Sequence, residues 1–413
     1  MKSKLKFILI YFLIILGFST SSFAADINLN SKAAILVEVS TGRIIYEKNS
    51  TTQMYPASTT KIMTAILAIE NCNLTDMVIV KESALSKIPS GYVTCNLQVG
   101  EEISVNDLLY ALMVPSANDA AYVLAEHIGG SIEGFANMMN EKARSLGCMK
   151  THFVNPNGIH DSSHYSSAYD LYLMASYAMK NETFKTLVST TEYTLPATNK
   201  YPSADRVLTT TNDLINTNKT NYYKNAIGIK TGYTSQAGNC LVSEASRDGL
   251  EFISVVLNGD KTNSSIRYTD TIKLFDYAYN NFTLTKIIEK NSIVDTIEIE
   301  NGTKETKNLD IIIDKSITVV NNKSINMNNV IPEIKLNESL EAPILTGSIV
   351  GTIKYKVDDI EYSANLLAKN DVIEQNYIYF YLLIVGFILL LISYLMIKYS
   401  KHSKKNRKKT RKK

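Results

Sequence analysis

Cysteine is scarce in this chain of 413 residues, and Cys72, Cys95, Cys148 and Cys240 are scattered along it. No two lie at the close spacing of a metal ribbon or a redox dithiol, so neither chemistry is written in that form. One bridge or four buried thiols are both open to an exported chain. No sustained repeat is visible, and the eight prolines form no linker. His160, Asp161 and His164 fall close together, but the H-E-x-x-H pattern is missing, which argues against a metallopeptidase. The chemistry anticipated here requires no metal and no organic cofactor.

Acidic residues are absent from both ends of the chain. Residues 1–24 combine Lys2, Lys4 and Lys6 with an apolar run from Phe7 to Phe18 and a polar stretch ending in Ser22-Phe23-Ala24, the order of a secretory signal peptide. Residues 377–397 form a longer apolar run without a charge and with tyrosines near both ends, long enough for a transmembrane helix. In the tail that follows, residues 398–413, ten of sixteen side chains are Lys or Arg. The positive-inside rule places that tail in the cytoplasm and everything between the two apolar segments outside, anchored to the cell membrane by a single pass. Thirteen of the 43 basic residues sit in these two ends, which leaves 30 basic against 40 acidic side chains between them. An ectodomain that acidic is a poor partner for nucleic acid.

Between the ends, Ala33–Val39 and Arg43–Glu47 read as strands of a hairpin about Ser40-Thr41-Gly42. Helical patterns follow over Thr59–Glu70, Val105–Met113, Asp119–Ile128, Ile132–Leu146 and Ser167–Met179. Strand patterns return at Cys240–Ala245 and Phe252–Leu257, then a helix at Tyr268–Tyr279. Strands at both ends with helices between predict an α/β (α+β) unit over residues 25–284, whose sheet is completed late. Short β-prone runs at Ile293–Ile299, Leu309–Ile313, Ile317–Val320 and Ile349–Val357 predict a small all-β domain over 285–370, with Ala364–Gln375 leading into the span.

Three short motifs occur in order: Ser58-Thr59-Thr60-Lys61, Ser116-Ala117-Asn118 and Lys230-Thr231-Gly232. Ser58, preceded by Pro56, is expected at a helix N-terminus, and a lysine three residues on lies on the same face, within reach of the hydroxyl. That pairing suits a nucleophile and its base, and the helix end adds N–H groups and a positive dipole that favour an oxyanion and a neutral lysine. Ser116 and Asn118 are expected on a loop, where they can supply a proton relay and an amide hydrogen bond. The β-prone Ile227-Gly228-Ile229 before Lys230 suggests an edge strand that docks an extended peptide ending in a carboxylate. Each motif alone is also consistent with a helix cap or an exposed turn. Together they match the active-site serine signature of penicillin-binding proteins and β-lactamases.

The segments PASTTKIMTA, MVPSANDAAYVLAE, NPNGIHDSSHYSSAYDL, GIKTGYTSQAGNCLVSEASRDG and SIRYTDTIKLFDYA closely resemble the low-molecular-mass penicillin-binding proteins that act as serine D-alanyl-D-alanine carboxypeptidases, peptidase family S11. The resemblance covers roughly Asp26 to Phe282. It implies a β-lactamase/transpeptidase-like catalytic domain, an antiparallel sheet flanked by helices, acting on peptidoglycan pentapeptides ending in D-Ala-D-Ala and bound by β-lactam antibiotics. It makes Ser58 the nucleophile, Lys61 its base and Ser116 the shuttle to the leaving D-alanine. Asn118 would hold Lys61 and a substrate amide, while Lys230, Thr231 and Arg267 would gather the terminal carboxylate. The backbone N–H groups of Ser58 and Tyr233, beside Gly232, would form the oxyanion hole. Class A β-lactamases carry a deacylating glutamate after the second motif; His152-Phe153-Val154-Asn155 here holds no acid, against a fast β-lactamase. Endopeptidase or transpeptidase action, or a weak penicillin-binding regulator, are the alternatives.

Overall fold

The computed structural model describes residues 27–358 and 360–410, so the expected signal segment lies outside the described residues. The chain divides into two units, with the break after Phe282.

The first unit is mixed α+β around one five-stranded sheet. Its strands are β1 (Ala33–Glu38), β2 (Ile44–Lys48), β3 (Ala226–Thr234), β4 (Gly238–Arg247) and β5 (Leu250–Gly259), in the order β2-β1-β5-β4-β3 and antiparallel throughout. The β1–β2 turn is closed by the buried Glu38 carboxylate, which accepts from both the backbone and hydroxyl of Ser40 and of Thr41, with Gly42 at φ +70°. The anticipated late completion of the sheet is seen in β1, whose second neighbour is β5, Ile35 facing Val255.

Helices α1 (Lys61–Asn71), α2 (Val105–Met113), α3 (Asn118–Gly129), α4 (Ile132–Ser145), α5 (Ala168–Ala178) and α6 (Glu182–Ser189) gather on one face of the sheet, and α7 (Ile266–Asn281) covers the other. Odd-numbered strand residues Ala33, Ile35, Val37, Ile253, Val255 and Leu257 share a core with Leu171 and Met174 of α5. On the even face Phe252 meets Tyr279 of α7 edge to face. Ser104, Ser131, Ser167 and Asn181 each accept a backbone N–H at the start of α2, α4, α5 and α6, and this is where these helices begin. Helix α6 and the small hairpins 77–79/102–104 and 192–194/207–209 were not expected; the three-residue strands are too short to show periodicity.

Two boundaries differ from expectation. The helix after Ser58 begins only at Lys61, and Ala57–Thr60 is a 3₁₀ turn leading into it. In the second unit, Ile360–Ala368 is a full strand rather than part of a lead to the span. It joins a five-stranded sheet of β6 (Ile293–Glu298), β7 (Asn308–Ile313), β8 (Glu333–Leu336), β9 (Ile349–Val357) and β10 (Ile360–Ala368), ordered β6-β7-β10-β9-β8. The alternation of Ala364, Leu366 and Ala368 inward with exposed Glu361, Ser363 and Asn365 is the pattern that makes it one. A final helix, α8 (Ile378–Thr410), contains the apolar run and continues into the basic tail, where Lys and Arg are good helix formers.

Candidate active site

The nucleophile turn is sharp. Ala57 has φ +48°, and Thr59 donates its N–H and its hydroxyl to Pro56 O at 3.3 and 2.7 Å, which turns Ser58 out of the chain direction. Three residues on, Lys61 is fully buried as the first residue of α1. Its Nζ lies 3.2 Å from Ser58 Oγ, 2.9 Å from Asn118 Oδ1 and 3.2 Å from Asn157 O. Burial holds its pKa well below the ordinary lysine value; Lys230 pushes the same way and Asp119 opposes weakly. Ile62, Met63, Ile66 and Leu67 are buried beside it on α1. A neutral amine has two N–H donors and one lone pair. In that form the oxygens of Asn118 and Asn157 can accept both donors, which would leave the lone pair for the Ser58 hydroxyl.

Ser116, at φ +68° between α2 and α3, is nearly buried at the edge of the same cleft. Asn118 opens α3. Its Oδ1 also accepts from Asn157 Nδ2 at 2.9 Å, while its Nδ2 and backbone N–H both donate to Val93 O at 2.9 Å. Beside it, the Asp119 carboxylate accepts from the N–H groups of Cys95 and Leu97, both at 3.1 Å. The start of α3 therefore pins the segment that carries Tyr92 and Val93.

The third motif lies on β3, the edge strand of the sheet. An added Cβ at Gly232 would lie 3.0 Å from Pro56 O and 3.1 Å from Ser58 N, so only glycine lets this strand pass so close to the nucleophile turn. Thr231 Oγ1 shares a 2.6 Å hydrogen bond with Thr211 Oγ1. Arg267, from the first turn of α7, donates through Nη1 to Gly232 O and through Nε to Ser264 O, both at 3.1 Å. Lys230 is buried, donating to Thr231 O at 3.2 Å; desolvation, with Arg267 nearby, lowers its pKa to about 7.

Ser58, Ser116, Asn118, Thr231, Gly232, Tyr233 and Arg267 line one cleft of about 470 Å³. Lys61 and Lys230 stand buried behind that lining rather than in it. Arg267 and Thr231 face the cleft, whereas Lys230 lies behind it. Asn157 and Thr211 were not anticipated; Asn-Pro-Asn-Gly signals a turn, and nothing in that signal says what the turn packs against. His164 does not join His160 in a metal site. Its Nδ1 accepts from Val154 N–H at 3.2 Å and its Nε2 meets Thr60 Oγ1 at 2.8 Å, while burial depresses its pKa to about 3. Among the described residues no three His, Cys, Asp or Glu side chains converge as a metal site, and all four cysteines are free thiols.

A turn-borne serine, a buried lysine one turn on and a K-T-G edge strand alongside define an enzyme that passes an acyl group through its serine. Within that class the chain belongs to the D-alanyl-D-alanine carboxypeptidase family, peptidase S11, whose sequence profile matches residues 19–261. It is a serine-type D-alanyl-D-alanine carboxypeptidase. A second profile, the C-terminal domain of penicillin-binding protein 5, matches residues 282–374. The chain is 32% identical over 382 residues to the D-alanyl-D-alanine carboxypeptidase DacF of Bacillus subtilis, covering 89% of this chain and 94% of that protein. Among solved structures, penicillin binding protein 5 from Haemophilus influenzae is 28% identical with a TM-score of 0.67, covering 84% of this chain and 99% of that one. A peptidoglycan synthesis regulatory factor (PBP3) from Streptococcus pneumoniae is 25% identical with a TM-score of 0.69, covering 84% and 100%.

Proposed function

We propose that Ser58 removes the terminal D-alanine from peptidoglycan pentapeptides, and that the enzyme does so outside the cytoplasm while tethered to the membrane by α8. The observation that carries this is the 3.2 Å approach of Ser58 Oγ to the buried Lys61 Nζ. Lys61 takes the hydroxyl proton as Oγ bonds to the penultimate D-Ala carbonyl carbon. The oxyanion is held by the N–H groups of Ser58 and Tyr233, a role supported by the close passage of Gly232 past Ser58 N. As the C–N bond breaks, the leaving D-alanine takes a proton relayed from Lys61 through Ser116. Water, deprotonated in turn by Lys61, then cleaves the Ser58 ester and frees the shortened peptide. Thr231 and Arg267 hold the terminal carboxylate, with Lys230 supplying charge from beneath. β-Lactams acylate the same serine.

The apolar part of α8, residues 378–397, spans roughly 30 Å as a helix, which matches a bilayer core. With the signal segment 1–24 removed and the basic tail held in the cytoplasm, the catalytic unit and the β-rich part of the second unit lie on the outer side. The β-rich unit serves as a spacer above the membrane.

Ser58→Ala removes only one oxygen, so it should abolish both fluorescent penicillin labelling and D-alanine release while the melting curve stays as in the wild type. Labelling that persists on this variant rules Ser58 out as the nucleophile.

A further inference from the structure

The β-rich part of the second unit exposes apolar side chains at the end where the chain leaves it for α8. Ile344 and Val372 exchange backbone hydrogen bonds of 2.9 and 2.8 Å, and both side chains are buried. The antiparallel register sets Pro343 opposite Ile373 and Leu345 opposite Asp371 on the outer face. Leu345, 67% exposed, and Ile373, 56% exposed, are therefore diagonal neighbours there. The Asp371 carboxylate beside them is turned onto the N–H and hydroxyl of Thr346, both at 2.7 Å. Ile349, 57% exposed, opens β9 at the same end of the sheet, opposite Leu367 near the end of β10.

The length of chain before α8 limits how far this face can stand from lipid. Ile373 O accepts from Thr303 N–H at 2.9 Å and Gln375 N–H donates to Asn301 O at 2.7 Å, so the chain is tied to the β-rich part as far as Gln375. Helix α8 opens at Ile378. Three Cα steps, at most about 11 Å, separate the last tied residue from the first of the span. The headgroup layer on one side of a bilayer is itself about 5–8 Å deep, so this end of the sheet stays at the headgroups. Segments 341–349 and 371–375 carry Glu341, Asp371 and Glu374 and no Lys or Arg, which excludes attraction to anionic lipid and leaves apolar insertion. Resting on the tether proposed above, we infer that Leu345 and Ile373 enter the outer lipid surface beside α8 and give the β-rich part a second point of attachment. Two aliphatic side chains bind a bilayer too weakly to hold a free protein; they act here because α8 keeps them at high effective concentration.

The chain contains no tryptophan, so a single introduced one reports its own surroundings. Leu345→Trp and Ile373→Trp are each made in the full-length chain, with Ile331→Trp as reference, since Ile331 is 83% exposed and precedes β8 at the end of the sheet away from α8. The proteins are reconstituted in phosphatidylcholine vesicles with and without bromine on the upper acyl chain. Bromine should quench the fluorescence of Leu345→Trp and Ile373→Trp by roughly a third to a half, and that of Ile331→Trp by less than about a tenth, as side chains in the acyl boundary and in water differ. If neither variant is quenched more than Ile331→Trp while the protein sediments with the vesicles, the contact is overturned and the face is left to water or to a protein partner. Equally strong quenching of all three overturns it too, because the sheet would then lie on its side. Full-length protein that does not sediment with vesicles at all overturns the tether, and this inference with it.

Discussion

Lys61 can accept a proton from Ser58 only when it carries none to spare, and its surroundings decide when that is. Burial, then the field of Lys230, bring its pKa well below the ordinary lysine value, so the neutral, active form persists to lower pH than a surface lysine allows. The acylation rate should therefore rise with pH through this lowered pKa and level off above it, as a pH profile of penicillin acylation would record. Lys61→Arg should cost roughly 100- to 10,000-fold in that rate across the whole range, because guanidinium stays protonated. Near-normal acylation would require a different base. Arg267 makes a separate prediction. Two of its five N–H donors are spent on Gly232 O and Ser264 O, and the rest are free to meet a carboxylate at the cleft. Arg267→Ala should lower kcat/KM for a free-acid D-Ala-D-Ala peptide by about ten- to a hundredfold, on the order of 1.5–3 kcal/mol, and should change an ester lacking that carboxylate far less. Equal losses would make Arg267 a structural tie to β3. At this scale the sequence was readable where chemistry demands a residue type, as at Ser58 and Lys61. It was silent on Asn157, whose contribution to the Lys61 site includes a backbone carbonyl that any residue could supply.

Among the elements, the nucleophile turn is held less by its own helix than by the segment 155–164 packed beneath it. A Cβ on Gly158, at φ +82°, would overlap Ala57 O at 1.8 Å, Thr64 donates to Pro156 O, and His164 bridges Thr60 to Val154. His164 makes this packing sensitive to acid. Folded, its ring stays neutral down to about 3, whereas the unfolded ring takes up a proton near 6.5. Below about 6.5 the unfolded chain binds the additional proton, so the stability present above that pH is lost progressively until about 3. The slope from this one group is at most about 1.4 kcal/mol per pH unit. In urea unfolding, the wild type should lose stability relative to His164→Asn as pH falls from about 7 to about 4.5. Parallel curves for the two proteins would mean the ring already titrates normally. Periodicity located α1 to α5 and α7 because their apolar faces are long; it missed the 3₁₀ turn, since Ala-Ser-Thr-Thr carries no signal separating it from the helix that follows.

For the whole molecule, the break after Phe282 and the exposed apolar face of α8 suggest that catalysis and tethering are separable. A chain ending before Tyr377 should move from the membrane to the soluble fraction while its kcat/KM on a small soluble peptide stays within about twofold of the full chain. Retention in the membrane fraction would place the anchor elsewhere. The shift to β-prone runs near residue 285 made the second unit visible, but not its strand order, which rests on pairings between segments as distant as Ile313 and Leu366. A similar distance governs when the enzyme comes into being. Strand β1 is hydrogen-bonded to β5, and the Ser58 turn abuts β3, so the pieces of the site are separated by some two hundred residues of chain. Closing a loop of that length must precede the contacts that reward it. A nascent chain stopped between Asn118 and Leu250 therefore holds Ser58, Lys61 and Ser116 in sequence, yet lacks the finished sheet that aligns them, so hydrolysis waits on the last strand and on Arg267 just beyond it.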